Sequence, residues 1–440
     1  MHILLTRPLE DCSKMILKFQ SLGHKVSHLP LIRIEKIDYG EINFSEYSGI
    51  IFTSANAVKF LNIELSSLQL HYYLFLAMSI IIILISKRLE YSRLGRAWVA
   101  VREDEVAAKA CGINTTRVKL WAFVLGASFG GSLGVTASSG PGIALKGEFL
   151  GLTLITELPV VIINVQRGGP STGLPTKTEQ SDLFQAVYGR NGDAPTPVVA
   201  ATTPGDCFFT TYEACRIAVK YMTPIIVLTD GYLANGSEPW MIPNSKDLID
   251  FEVNFEKEND SDEKHQPYKR NKDTLARNWA IPGTKGLEHR IGGIEKEDGS
   301  GNVSYDSDNH EHMTYTRAQK VANIANEIPP TEVYGKKKGD LLILSWGSTH
   351  GSCKVATEKL LAEKYKVGHV SLKWINPFPS DLGKILLNYE KVIIPEINRG
   401  QLRYLIRAEY LINAIGLNEI KGKPIGASTI MNKCKEILDG

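Results

Sequence analysis

Leu158 to Val165 reads LPVVIINV, an apolar, β-branched run of the length and composition of a strand buried on both faces of a parallel sheet. The string from Val165 to Leu183 (VQRGGPSTGLPTKTEQSDL) follows it, so its loop leaves the carboxyl end of that strand. In open α/β sheets this is the edge where ligands bind. Gly168, Gly169 and Gly173 let the backbone approach a ligand closely, and Pro170 and Pro175 stiffen the path between them. Arg167 offers a planar fork matched to a carboxylate or phosphate, and the Thr172 hydroxyl adds a donor. An anion is the expected guest. On local chemistry alone, a Gly/Pro surface turn carrying a solvated arginine accounts for the same residues.

The remaining chain restricts the function class. Its 440 residues are 43% hydrophobic and 22% charged, an ordinary globular balance with room for two or three domains. A formal net charge of +2, without an aromatic-basic stripe, gives no case for nucleic acid. Cys12, Cys111, Cys207, Cys215, Cys353 and Cys434 have no C-x-x-C spacing, so neither a zinc site nor an iron–sulfur cluster is encoded. Reduced thiols in a cytoplasmic protein are the default. Met1 to Thr6 reads as a strand followed by Arg7 and Pro8, not as a secretory signal.

Three compositions succeed one another. Residues 1–62 read as βα units: strand HILLT, a helix over Leu9 to Leu22, a stop at Gly23, a strand beginning at Lys25, then IFTSANAV. Residues 63–135 hold two apolar stretches, at 70–85 and 120–135, around a basic loop. Leu74 to Ile85 carries no charge and predicts either a membrane helix with Tyr72 and Tyr73 as anchors or a buried core helix, being short for a span. Gly126, Gly130 and Gly134 repeat every four residues, a small-residue helix face. From Thr136 the strands LPVVIINV, PTPVVAAT and TPIIVLTD alternate with helical stretches, the pattern of a parallel sheet over 136–243. A polar linker is expected over 244–335, and a second α/β domain over 336–440. In the linker Asp306, Asp308, His310 and His312 alternate, but such groups in a loop are usually solvated, and no metal is expected there.

Several strings carry family resemblances. TASSGPG (Thr136 to Gly142), GEFLGL, the Arg167 loop, YGRNGDAP, LTDGYLANGSEPW and EINRGQL (Glu396 to Leu402) occur in the order found in the α subunit of 2-oxoacid:ferredoxin oxidoreductases, and resemble the 2-oxoglutarate type over about 136–440. ILLTRP and IFTSANAV resemble the beginning of uroporphyrinogen-III synthase, and AAKACG within 68–135 resembles the coupling loop of a branched-chain amino acid transporter permease. The expected architecture is thus a parallel-sheet, thiamine-enzyme-type α/β domain and a transketolase C-terminal-like domain, preceded by a βα fragment and an apolar helical segment. The chain reads as a composite of three pieces.

The main resemblance implies thiamine diphosphate-dependent oxidative decarboxylation of a 2-oxoacid, with CoA taking the acyl group and ferredoxin the electrons. It gives Arg167 and Thr172 the 2-oxoacid, and places Ser139, Gly140 and Gly142 in a tight loop near the cofactor. No G-D-G…N diphosphate motif occurs, which implies a β subunit that carries thiamine diphosphate and Mg²⁺ at an interface. The family's Y-P-I-T-P loop and its cofactor-activating glutamate belong upstream of TASSGPG, where permease-like sequence stands instead. Impaired activity is the consequence. The location implied is cytoplasmic, with membrane association through 70–135.

Overall fold

The computed structural model describes residues 2–5, 17, 20, 21, 23, 25–28, 126–251, 253–259 and 264–440. Contacts divide the chain into two units, Met1–Glu103 and Asp104–Gly440. In the first, β1 (His2–Leu5) pairs in parallel with β2 (Lys25–His28), His2 opposite Lys25. Parallel neighbours need a crossover, as the βα reading requires. The apolar stretch at 70–85, the basic loop and IFTSANAV lie outside the described residues.

The second unit begins its first sheet with β3 (Gly134–Ser138), followed by α1 (Gly140–Ala144) and α2 (Gly147–Thr156). Next come β4 (Val160–Gln166), α3 (Leu183–Tyr188), β5 (Val198–Ala200), α4 (Asp206–Tyr221), β6 (Pro224–Asp230) and α5 (Gly231–Asn235). After α6 (Ser307–Asn323), a second alternation runs through β7 (Tyr334–Gly335), β8 (Gly339–Trp346), α7 (His350–Ala362), β9 (Val367–Leu372) and β10 (Trp374–Asn376). It closes with α8 (Leu382–Leu386), β11 (Tyr389–Glu396), α9 (Gln401–Tyr410), β12 (Ile415–Asn418) and α10 (Ala427–Asp439).

The strand orders are β10-β5-β6-β4-β3 and β12-β11-β8-β9-β7. All pairings within the first sheet are parallel except that of β10, which arrives from the second alternation and pairs antiparallel with β5. The two halves are therefore joined by backbone as well as side chains. Side chains alternate along a strand, so β4 sends Val160 and Ile162 one way and Val161 the other. Val160 and Ile162 join Ile226, Leu342, Leu344 and Ile394 in a core shared by both sheets. Val161 packs with Ile217 and Ala218 of α4, while Ile343 and Ile393 of the second sheet face α7 and α10. This two-sided burial is why LPVVIINV shows no hydrophobic alternation.

Two expectations need correction. The stretch 120–135 is not a single helix: residues 126–129 are helical, the chain turns at Gly130 and Gly131 (φ +86°), and Gly134 opens β3 opposite Val160. Four-residue glycine spacing suits a turn and a strand entry as well as a helix face. Ser128 is fully buried, its hydroxyl donates to the Pro159 carbonyl at 2.9 Å, and its own carbonyl accepts Trp279 Nε1 at 2.9 Å. The α/β domain thus begins upstream of Thr136. Among the described residues no helix is long and apolar enough to cross a membrane.

The second correction concerns 244–335, which is more than a linker. Its path is irregular up to α6, yet Tyr268, Trp279, Met313 and Ile324 are buried, and α6 runs for 17 residues. Part of its charge is internal: fully buried Glu157, at the end of α2, takes Arg270 Nη2 at 2.7 Å and Lys320 Nζ at 2.6 Å. Counting charges as solvent-facing misses such pairs, because burial is tolerated where each charge is matched. His310 and His312 lie on α6, each against its own carboxylate, Glu295 at 3.0 Å and Asp298 at 3.1 Å. Among the described residues no three histidine, cysteine or acidic groups gather to hold a metal ion.

Candidate functional site

Arg167 is the first residue beyond β4, at the carboxyl end of a strand flanked by β6 and β3. The side chain is half-buried, and its Nε is buried without a hydrogen-bond partner. The loop that follows folds back on itself, Gly168 N donating to the Lys177 carbonyl at 3.0 Å and Leu174 N to the Gly168 carbonyl at 2.8 Å. Gly173 has φ +50°, and a side chain there would collide with the Gly168 carbonyl, so this turn admits only glycine. Thr172 is exposed at the tip, while Arg167 sits at the base. Among the described residues no hydrogen bond joins the two.

Ser139 precedes α1 in extended conformation, and Pro141 occupies its first turn. The tight loop expected over 140–142 is therefore a helix entry, which a proline at the first position favours. Gly140 and Gly142 are both buried, and each gives its space to a side chain of the protein. A Cβ on Gly140 would lie 2.5 Å from Asp182 Oδ2, and one on Gly142 would overlap Ser138 Oγ.

Sequence reasoning missed the residues that hold this arrangement. Asp182 Oδ2 accepts Asn164 Nδ2 at 3.1 Å, and its backbone N donates to Gln166 Oε1 at 3.1 Å. Gln166 Nε2 in turn donates to the Thr229 carbonyl on β6 at 3.1 Å. Burial pushes the Asp182 carboxyl above its ordinary value, the Asn164 hydrogen bond pulls it back, nearby Glu179 pushes it up, and Arg167 pulls it down. The available signal was the pair of amides, Asn164 and Gln166, inside an otherwise apolar strand.

The other end of the loop is clamped by EINRGQL. Gln180 Nε2 donates to the Trp346 carbonyl at 2.7 Å, and Asn398 Nδ2 donates to the Gln180 carbonyl at 2.7 Å. Gln401 spans Ser181 and Phe184, donating to the carbonyl of the first at 2.7 Å and accepting the N–H of the second at 2.8 Å. Glu396 is wholly buried and accepts from Leu402 N (2.8 Å), Arg403 N (3.2 Å), Asn398 Nδ2 (3.0 Å) and Trp346 Nε1 (3.2 Å). Burial raises its carboxyl and those donors oppose the rise. The motif anchors the loop against the second sheet. A cavity of about 370 Å³, lined among others by Tyr221, Asn254, Arg277 and Trp279, opens elsewhere and includes none of these residues.

Two joined α/β layers, each built on a largely parallel sheet, make a thiamine-enzyme-type fold. Residues 120–306 match the family described as pyruvate flavodoxin/ferredoxin oxidoreductase, thiamine diphosphate-binding, and residues 339–422 match pyruvate:ferredoxin oxidoreductase core domain II. The 2-oxoglutarate synthase subunit KorA of Archaeoglobus fulgidus is 34% identical over 281 residues, covering 63% of this chain and 72% of that protein. The chain belongs to this family of 2-oxoglutarate:ferredoxin oxidoreductase α subunits. The 2-oxoglutarate oxidoreductase subunit KorA of Mycobacterium tuberculosis is 50% identical over 318 residues, 72% of this chain, and the chain spans about half of that protein's length (48%). A solved 2-oxoglutarate:ferredoxin oxidoreductase from Magnetococcus marinus, with 2-oxoglutarate, coenzyme A and succinyl-CoA bound, superposes with a TM-score of 0.69 at 35% identity, over 79% of this chain and 60% of that one. Residues 29–163 also match the permease component of branched-chain amino acid transport systems. Where that match overlaps the oxidoreductase family, β3, α1, α2 and the start of β4 belong structurally to the α/β domain.

Proposed function

We propose that this chain is an α subunit of the 2-oxoglutarate type of 2-oxoacid:ferredoxin oxidoreductase, an enzyme that forms acyl-CoA and CO2 and passes electrons to ferredoxin, with turnover impaired because the N-terminal part of the site is replaced. The observation that carries the reading is Arg167: a half-buried guanidinium at the carboxyl end of a buried parallel strand, with Nε unpartnered, in a chain 50% identical to a 2-oxoglutarate oxidoreductase subunit. Arg167 holds the substrate carboxylate and so fixes where the carbonyl points, and Thr172 adds a hydroxyl donor from the loop tip.

Thiamine diphosphate supplies the electron sink for decarboxylation when bound. The β3–α1 turn does not cradle its diphosphate: Gly140 and Gly142 are filled by Asp182 and Ser138, which leaves Ser139 as the one side chain of the three to face a cofactor. The reading therefore assigns the diphosphate and Mg²⁺ to a β subunit, with this chain contributing from across the interface. CoA and ferredoxin as co-substrates set the reaction in the cytoplasm.

The composite reading is part of the same proposal. Residues 1–62 are taken as a uroporphyrinogen-III synthase-like piece, and a permease-derived piece follows; the transport-family match over 29–163 supports the latter. The packing of Ser128 on Pro159 and Trp279 supports a join upstream of that residue.

Calorimetry of 2-oxoglutarate binding to the full chain tests the reading. The unmodified chain is expected to bind and Arg167→Ala to bind about tenfold or more weakly, the worth of one charged hydrogen-bonded contact. Equal affinity in both proteins would remove Arg167 from the site.

A further inference from the structure

The cavity of about 370 Å³ lies at the amino ends of the first sheet: Met222, just before β6, lines it, as does Arg277, which reaches the last residue of α2 ahead of β4. Arg277 is 3% exposed, yet among the described residues it has no carboxylate partner. Of the five N–H donors of a guanidinium, one goes to the Asn278 carbonyl and one to the Thr156 carbonyl, each at 3.2 Å. The buried Nε has no partner. Glu157, next to Thr156 in sequence, is already committed: Oε1 takes Arg270, and Oε2 takes both Arg270 and Lys320.

A buried cation is tolerated where an anion and hydrogen-bond acceptors match it. The Tyr268 ring centroid lies 5.4 Å from Arg277 Cζ, but the same ring also carries Lys296, whose Nζ stands 5.5 Å from it and forms no salt bridge among the described residues. One ring face thus serves two cations, and a ring attracts a cation less than a carboxylate does. The cavity gives an anion from solution access to Arg277. Its other charges restrict that anion: Lys220 Nζ is held by Glu327 at 2.8 Å, and Asp273 is a second acid on the wall. A doubly charged phosphate meets those acids, whereas the single charge of a carboxylate is matched by Arg277. Asn254 and Thr274 add an amide and a hydroxyl to the lining. We propose that this cavity binds a small hydroxycarboxylate, its carboxylate on Arg277, at a site separate from Arg167.

The two arginines belong to opposite ends of β4: Arg277 bonds the chain just before the strand, and Arg167 is the first residue after it. The 7 residues of β4, at about 3.3 Å each, put roughly 20 Å of strand between them, too far for one small ligand to touch both. A ligand in the cavity therefore acts on the chain without entering the reaction. It supplies the anion that the buried guanidinium lacks, and it stabilises the folded chain as any ligand specific to the native state does. The proposal is independent of the anion reading of Arg167.

Calorimetry with glycolate tests it, on the full chain carrying Arg167→Ala so that the loop contributes nothing. Glycolate is expected to bind and to raise the melting temperature, and inorganic phosphate to bind at least several-fold more weakly. Adding Arg277→Met removes the guanidinium and should weaken glycolate about tenfold or more. Asn254→Asp, at an exposed position, leaves Arg277 in place and adds a carboxylate to the wall, so it should weaken glycolate several-fold. No glycolate binding, equal affinity with and without these two changes, or phosphate binding as tightly as glycolate overturns the proposal. Should Arg277→Met fail to fold, Asn254→Asp decides alone, and unchanged affinity there overturns it.

Discussion

Gln180 and Ile397 exchange two hydrogen bonds across the junction of the two sheets: Gln180 N donates to the Ile397 carbonyl at 3.1 Å, and Ile397 N donates to Gln180 Oε1 at 2.9 Å. Gln180 is fully buried and its Nε2 donates to the Trp346 carbonyl at 2.7 Å, so a single side chain ties the Arg167 loop to the carboxyl ends of β8 and β11. Gln180→Ala should leave the buried Ile397 N–H unpaired, at a cost of about 1–3 kcal/mol, while the Trp346 carbonyl keeps the Thr349 hydroxyl. Denaturant unfolding reads that loss, and hydrogen exchange should show residues 174–182 opening faster. Protection equal to the unmodified chain would mean that the clamp does not hold the loop.

Gly140 and Gly169 separate packing from backbone freedom. A methyl group on Gly140 would meet the Asp182 carboxylate at 2.5 Å, whereas one on Gly169 meets nothing within 4 Å. Gly140→Ala is expected to destabilise by about 1–3 kcal/mol, the usual cost of overpacking, and to disturb Asp182. Gly169→Ala should be nearly neutral in the same thermal or denaturant measurement. If both are neutral, α1 moves freely and Asp182 is not held by Gly140.

The alternation of strands and helices from Val160 onward was legible because the strands are written in side chains: TPIIVLTD holds the whole of β6 and LPVVIINV holds β4 as far as Val165. The carboxyl-edge placement of Arg167 followed from the strand before it. Asp182, Glu179 and Gln180 were not legible, since nothing local distinguishes a polar residue that reaches 217 positions along the chain, as Gln180 does to Ile397, from a solvated one. The buried charges of 244–335 were hidden for the same reason. Glu157, Arg270 and Lys320 are far apart in sequence and become a network only after folding.

That network makes stability depend on acid. Burial alone would raise Glu157, but Lys320 and Arg270 hold its carboxyl well below the usual range, and Arg317 likewise helps bring Glu295 down to about 2. Depressed carboxylates contribute stability that is present above their unfolded values, near 4.5, and is lost as pH falls through the folded ones. Unfolding free energy should therefore change little between pH 6 and 5 on account of these groups, and then decline between about pH 4.5 and 2. Glu157→Gln leaves buried Lys320 without a carboxylate and Arg270 with only the exposed Asp298, 3.2 Å from its Nε, and should cost about 3–5 kcal/mol at neutral pH. A cost below about 1 kcal/mol would show that water reaches both cations.

The last prediction concerns turnover. The Arg167 loop is intact, with the strand before it, the helix after it and both clamps in place. What the family resemblance assigns upstream, a second substrate loop and the acid that activates the cofactor, is on the composite reading proposed above exchanged for sequence that matches a transport permease over residues 29–163. Loss of a group that acts in the transition state lowers kcat and kcat/KM together, while ground-state contacts made by Arg167 survive it. The full chain, supplied with a cognate β subunit, thiamine diphosphate, Mg²⁺ and CoA, should therefore bind 2-oxoglutarate but reduce ferredoxin no faster than background. The oxidoreductase family match begins at residue 120 and Ser128 already packs on Pro159 and Trp279, so the exchange should be made at 120 and not at Thr136. A chain carrying family-type sequence in place of 1–119 is expected to recover turnover, and Arg167→Ala in that chain to raise KM about tenfold or more. Comparable rates from the present chain and the restored one would show that the replaced segment contributes nothing the reaction needs.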